Sequence, residues 1–166
     1  MARSPKIVID DPEQFYKDFP QLTTANHRPT SPATDEYNCV GLAIKDVDNW
    51  WWPKSYPDAR MGARPVQWML PYDADETRRE SIVEMLKALA TRGFSPCENG
   101  EIEAHLEKIA IFGVGERVTH IATLPRNRHG RWKSKMGDNV DIEHELRAVE
   151  GPPYGIFLMF LSRSAQ

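Results

Sequence analysis

Cys39 and His120 are the residues of this chain whose types and settings could together perform covalent chemistry. A thiol becomes a nucleophile when a base within hydrogen-bond reach takes its proton, and the base needs a third polar group to hold its tautomer. Cys39 stands in Tyr37-Asn38-Cys39-Val40-Gly41-Leu42-Ala43-Ile44, which reads as the first turn of a short apolar helix. The free N–H groups and positive dipole end of a helix stabilise an anion, so a cysteine there is expected to ionise more readily. The competing expectation is a small apolar side chain that is simply packed. His120 lies in a run of period two, where it shares a strand face with Val118, Ala122 and Leu124. A strand histidine by itself is most simply a satisfied core residue. The third strand, 131–135, supplies Ser134 as a candidate orienter, with Asp138, Asp141 and His144 close behind; the residues alone leave that choice open. Such a set would let Cys39 attack an amide carbonyl while His120 takes the thiol proton and passes one to the leaving amine. The Cys39 backbone N–H and the Asn38 side chain would cradle the oxyanion.

The elements that must position these groups follow from pattern. Residues 1–36 read as an N-terminal arm. It holds one short helix, capped by Asp11 with Pro12 at its first position and burying Phe15 and Phe19. The cysteine helix spans 37–46. Residues 47–72 carry four tryptophans and four prolines without a sustained period, and read as a structured loop whose Trp50, Trp51, Trp52 and Trp68 pack down. Residues 75–92 read as an amphipathic helix through Ile82, Met85, Leu86 and Leu89, stopped by Gly93. Phe94 to Gly100 reads as a turn holding an incidental Cys97. Residues 106–161 read as an antiparallel sheet: strands 108–112, 118–124 and 131–135 in a meander, a short helix within 140–149, and a central apolar strand at 154–161. Helices first and a meander second give an α+β class, with N-terminal helices packed on a small antiparallel sheet in one domain, 1–166.

Composition removes several classes. The chain has 166 residues, and a net charge of -3 offers no field for nucleic acid or an anionic membrane surface. No apolar run reaches the roughly 20 residues of a membrane span. Ile7-Val8-Ile9 is too short for a signal-peptide core, and two cysteines make no disulfide framework. The cytoplasm is the expected compartment, with a secreted effector as the other option. Gly113-Val114-Gly115 lacks the rest of a nucleotide loop. Asp141-Ile142-Glu143-His144-Glu145 is dense in possible ligands, but on a helix it reads as charged surface. No metal and no cofactor is expected.

Asn38-Cys39-Val40-Gly41-Leu42 at a helix start, with Thr119-His120-Ile121-Ala122 opening a strand, resembles the papain-like cysteine hydrolases. The nearest forms are the compact NlpC-type cell-wall peptidases and CHAP-type amidases. That resemblance implies Cys39 as nucleophile, His120 as base and Ser134 as the favoured orienter. It departs from the pattern in using serine, where those enzymes usually carry His, Asn, Gln or Glu. The chain also resembles a group of uncharacterised bacterial proteins sharing Tyr-Asn-Cys (37–39), Trp-Trp-Trp-Pro (50–53), Thr-His (119–120) and Trp-x-Ser-Lys (132–135). The expected function is a cysteine-dependent hydrolase or acyl-transferase acting on an amide of a peptide or protein substrate. Two alternatives stand beside it: a non-catalytic binding or immunity-type module using the Trp-rich loop, and a bacterial toxin or effector with the same cysteine chemistry.

Overall fold

The apolar run of 109–112 forms the most deeply buried strand of the protein, and the rest of the fold is arranged on its two faces. The computed structural model describes residues 6–53, 60–61, 64–70, 80–126 and 130–165. Its elements are α1 (Pro12–Asp18), β1 (His27–Ser31), α2 (Cys39–Ile44), β2 (Trp50–Trp51), β3 (Arg60–Met61), β4 (Arg64–Gln67) and α3 (Ile82–Ala90). There follow β5 (Ser95–Cys97), β6 (Leu106–Val114), β7 (Arg117–Leu124), β8 (Trp132–Lys135), β9 (Asp141–His144), a 3-10 turn (Leu146–Val149) and β10 (Ile156–Ser164). The class is α+β. A seven-stranded sheet runs in the order β1-β9-β8-β7-β6-β10-β5, and each of its pairings is antiparallel.

The two faces of this sheet carry separate cores, as strand alternation requires. One face packs Ile109, Ile111, Val118 and Ile121 against α2, α3, Trp50 and Trp52. The other packs Ala110, Phe112, Ala122, Trp132 and Ile142 against Phe15 and Phe19 of α1. Helix α1 begins as its sequence predicts: Asp11 caps it, its side chain accepting from the Gln14 N–H, and Pro12 opens the first turn.

Several elements differ from their sequence patterns. Helix α3 starts at Ile82 because the Ser81 hydroxyl accepts from the Glu84 N–H and caps it; the part of the expected helix at 75–79 lies outside the described residues. The arm of 1–36 contains β1, which closes the sheet edge against β9. Cys97 lies on edge strand β5, not in a turn. Residues 47–72 are not merely loop: β2 runs parallel to β4, and β3 pairs with β4 antiparallel. The helix expected within 140–149 is β9 followed by the 3-10 turn. Pairing of Ser134 with Ile142 and of Trp132 with His144 outweighs the helical spacing of Ile142, Leu146 and Val149. Strand β10 is not central. It lies next to edge strand β5, and β6, one strand further in, is the more buried.

The tryptophan stretch has a physical explanation in this fold. Trp50 and Trp52 are buried, while Trp51 and Trp68 pack partly against the same core. Each indole N–H has an acceptor: Asp35 O, Asp46 Oδ2, Glu80 Oε1 and Glu84 Oε1 for Trp50, Trp51, Trp52 and Trp68 in turn. Rings that bury both area and donor are structural walls.

Candidate active site

Asn38 sets the cysteine in place. Its Oδ1 accepts from the Gly41 N–H and the Trp51 N–H, both at 3.1 Å, while its Nδ2 donates to Trp51 O at 2.8 Å. One side chain thus caps α2 and fastens β2 to it. Gly41 permits the close return of the loop: a Cβ there would lie 2.6 Å from Asp46 O and 2.7 Å from Asn49 O. The Asn38 amide expected at an oxyanion is therefore mainly a structural clamp.

Cys39 is only 8% exposed. Burial pushes its thiol up to about 11, and the backbone N–H groups of Ile121, Val40 and Cys39 itself, with the Lys135 charge, offset this only in part. The expected lowering at a helix start is overturned, because desolvation of the thiolate outweighs the field of a six-residue helix.

His120 faces away from α2, toward Phe112, at 5.8 Å between ring centroids. It does not share a face with Val118. Phe112 pairs with His120 but Gly113 pairs with Val118, so Thr119 is an extra residue that turns Val118 to the opposite core. Cys39 and His120 therefore approach from opposite faces of the sheet. Between them β7 and β8 part: their ladder keeps the pair Thr123–Lys133, and the continuation that would place Ile121 opposite Lys135 is not made. Into that parting opens a cavity of about 130 Å3 lined by Asn38, Cys39, Trp50, Trp52, His120 and Tyr154, among others. The sulfur faces the Ile121 N–H, one peptide on from His120. Among the described residues no hydrogen bond joins Cys39 to His120.

The third member is a relay rather than a single residue. Ser134 Oγ lies 2.8 Å from His120 Nε2 and 2.7 Å from His144 Nε2. His144 Nδ1 lies 2.7 Å from the Glu145 carbonyl, which can only accept, so this nitrogen carries a proton. Burial holds His144 neutral, down at about 4, and holds His120 well below its ordinary value, with His144 adding to the effect. A neutral His144 with Nδ1–H offers a lone pair at Nε2, so the Ser134 hydroxyl donates to it. Ser134 then accepts from His120 Nε2–H. The lone pair of His120 is left at Nδ1. This is the tautomer a base needs if its other nitrogen is tied to an orienter.

The other sequence candidates separate. Asp138 is exposed on the turn after β8. Asp141 accepts from the Tyr37 hydroxyl at 2.7 Å and pairs with Lys133 at 3.8 Å, remote from the imidazole relay. On strand β9 the side chains of Asp141 and Glu143 alternate with those of Ile142 and His144, so the acid–histidine cluster does not converge. Among the described residues no group of three or more His, Cys, Asp or Glu is arranged to hold a metal.

Two residues of this site were not singled out as candidates from the sequence. Lys135 is fully buried on the cavity wall. Its Nζ donates to the carbonyls of Thr34, Gly137 and Asn139. Three acceptors require three N–H bonds, so the amine is an ammonium although burial lowers its pKa; the nearby acids Asp141 and Asp138 oppose that lowering. Tyr154 stacks on His120 with centroids 3.9 Å apart and planes 3° apart. The pattern Pro152-Pro153-Tyr154-Gly155 marks a turn but carries no chemical signal.

No helix among the described residues is long and apolar enough to cross a membrane. A family model described as a domain of unknown function, DUF7689, matches residues 28–162, and the chain belongs to that family. No curated protein matches the chain, and no solved structure matches it.

Proposed function

For this member of the family we propose a cysteine-dependent hydrolase or acyl-transferase acting on an amide: a peptidase, amidase or deamidase. The observation that carries the reading is the relay His120–Ser134–His144–Glu145 O, which assigns the His120 lone pair to Nδ1 in a residue that lines the same cavity as Cys39. The order of parts (cysteine helix, histidine strand, polar residue on the next strand) supports the resemblance to the papain-like hydrolases of the NlpC and CHAP type.

The electrostatics favour one form of the reaction. With Cys39 raised to about 11 and His120 lowered, the resting pair is neutral thiol and neutral imidazole, not a preformed ion pair. Proton transfer to Nδ1 accompanies attack, as general-base catalysis. At about 130 Å3 the cavity is smaller than the roughly 300–1,000 Å3 of a drug-sized ligand site, which favours a single side chain or chain segment as the inserted group.

Acetylation by p-nitrophenyl acetate at pH 7.5, located by peptide mass, tests the reading. Cys39 is expected to react faster than half-exposed Cys97, and His120→Gln is expected to slow Cys39 alone by about 100-fold or more. Reaction at Cys39 that is indifferent to His120 would overturn it.

The buried thiol without a hydrogen bond to His120 favours a second reading, a binding module with an inert cysteine. Its contact surface would not be the tryptophan stretch alone, because Trp50 and Trp52 are core. In that case Cys39→Ala leaves every binding property intact and Cys39 resists the acyl probe.

A further inference from the structure

Tyr154 is held more firmly than a surface turn requires. Its carbonyl accepts from the Thr119 hydroxyl at 2.6 Å, and its ring lies between the His120 imidazole, centroids 3.9 Å away, and Phe19 of α1 at 4.9 Å. Gly155, at φ +69°, lets the chain pass so near β6 that a Cβ would stand 2.1 Å from Gly113 O. The Gly151 and Gly155 backbones bridge the turn from the other side. The consequence is a tyrosine fixed on the wall of the cavity that Cys39 and His120 share, and of a neighbouring one lined by Phe15, Phe19 and Asp138. Its hydroxyl has no hydrogen-bond partner among the described residues, and the Asn38 amide across the cavity is engaged with Trp51.

We propose that the Tyr154 hydroxyl is a catalytic donor to the oxyanion that forms when Cys39 attacks a carbonyl, and that its ring holds the imidazole plane of His120. This rests on Cys39 being the nucleophile. The S–C bond forms as the thiol proton passes to His120 Nδ1, and the carbonyl π pair moves to oxygen, where the Tyr154 O–H meets it. The pair then returns, the bond to the leaving group breaks, and the proton on His120 is available to that group. Burial and the neighbourhood of Cys39 and Asp138 both raise the phenol, so it keeps its proton throughout.

The test compares two probes on wild type and Tyr154→Phe, a change that keeps the ring. Acetylation by p-nitrophenyl acetate passes through an oxyanion; alkylation by iodoacetamide does not. Tyr154→Phe is expected to slow acetylation of Cys39 by about 10- to 100-fold, the order of one oxyanion donor, with alkylation changed less than about two-fold and the melting temperature retained. Equal loss with both probes, or no loss with either, overturns the donor role while leaving Cys39 a nucleophile. Wild type that acetylates Cys97 but never Cys39 overturns the nucleophile reading and this inference with it.

Discussion

His120 Nε2 and the Ser134 hydroxyl stand 2.8 Å apart, with the hydroxyl oxygen 2.7 Å from a second imidazole on His144. A hydroxyl both accepts and donates, so it can join two neutral imidazoles in a way that no carboxylate could. A carboxylate at this place would draw a proton onto one ring; serine transmits orientation without adding charge. Removing it leaves two buried nitrogens without partners. Ser134→Ala is expected to destabilise the protein by about 2 kcal/mol. It should also slow acetylation of Cys39 by about ten-fold or more as the His120 tautomer is freed. Urea unfolding and the acyl probe read the two effects separately, and an unchanged rate would show that the relay is structural only.

The same relay gives stability a pH dependence with a definite sign. His144 titrates near 4 in the fold against about 6.5 in an unfolded chain. Between these values the unfolded state binds a proton that the native state refuses. The stabilisation is therefore complete above pH 6.5 and is lost as pH falls toward 4, by about 3 kcal/mol from His144. His120, also depressed, adds with the same sign. Denaturant midpoints at pH 7.5 and 4.5 check this; a flat profile would contradict a neutral relay.

The Cys39 thiol should titrate late. In Cys97→Ser protein, absorbance of the thiolate at 240 nm is expected to stay absent through pH 9, consistent with a thiol raised to about 11. A step near pH 7 would reveal an ion pair and reverse the general-base form of the mechanism.

Lys135 predicts a large stability effect at one position. Lys135→Met keeps volume and removes the donors to Thr34, Gly137 and Asn139. Unpaired buried carbonyls cost about 1–3 kcal/mol each, so a loss above about 3 kcal/mol is expected in chemical unfolding. A loss under about 1 kcal/mol would mean that water replaces the ammonium.

Much of this architecture was legible because local signals agreed with tertiary demands. Asp11-Pro12 began a helix, Phe15 and Phe19 gave its buried face, and residues 106–135 alternated as strands around short turns. What escaped was decided by partners distant in sequence. Ile142, Leu146 and Val149 imitate a helical stripe, yet β8 claims residues 141–144 as a strand. Period two placed Val118 beside His120, but the extra residue at Thr119 sends them to different cores. The helix-start argument for Cys39 had the right local geometry and the right sign, but burial under Trp50, Trp52 and the sheet outweighs it. Ser134 was visible as a polar residue on the next strand, and its link to His144 depended on the β8–β9 register.

The parting of β7 from β8 gives the sulfur a mechanical role besides its chemical one. With the rung at Thr123–Lys133 as the ladder contact between these strands, the sheet has a seam there. Cys39 lines the cavity beside that seam. An acyl group, an oxidised sulfur or an alkyl tag on Cys39 would act as a wedge driven into it. Modification at one atom would then be sensed as a change in amide exchange along both strands, which makes the sheet its own strain gauge.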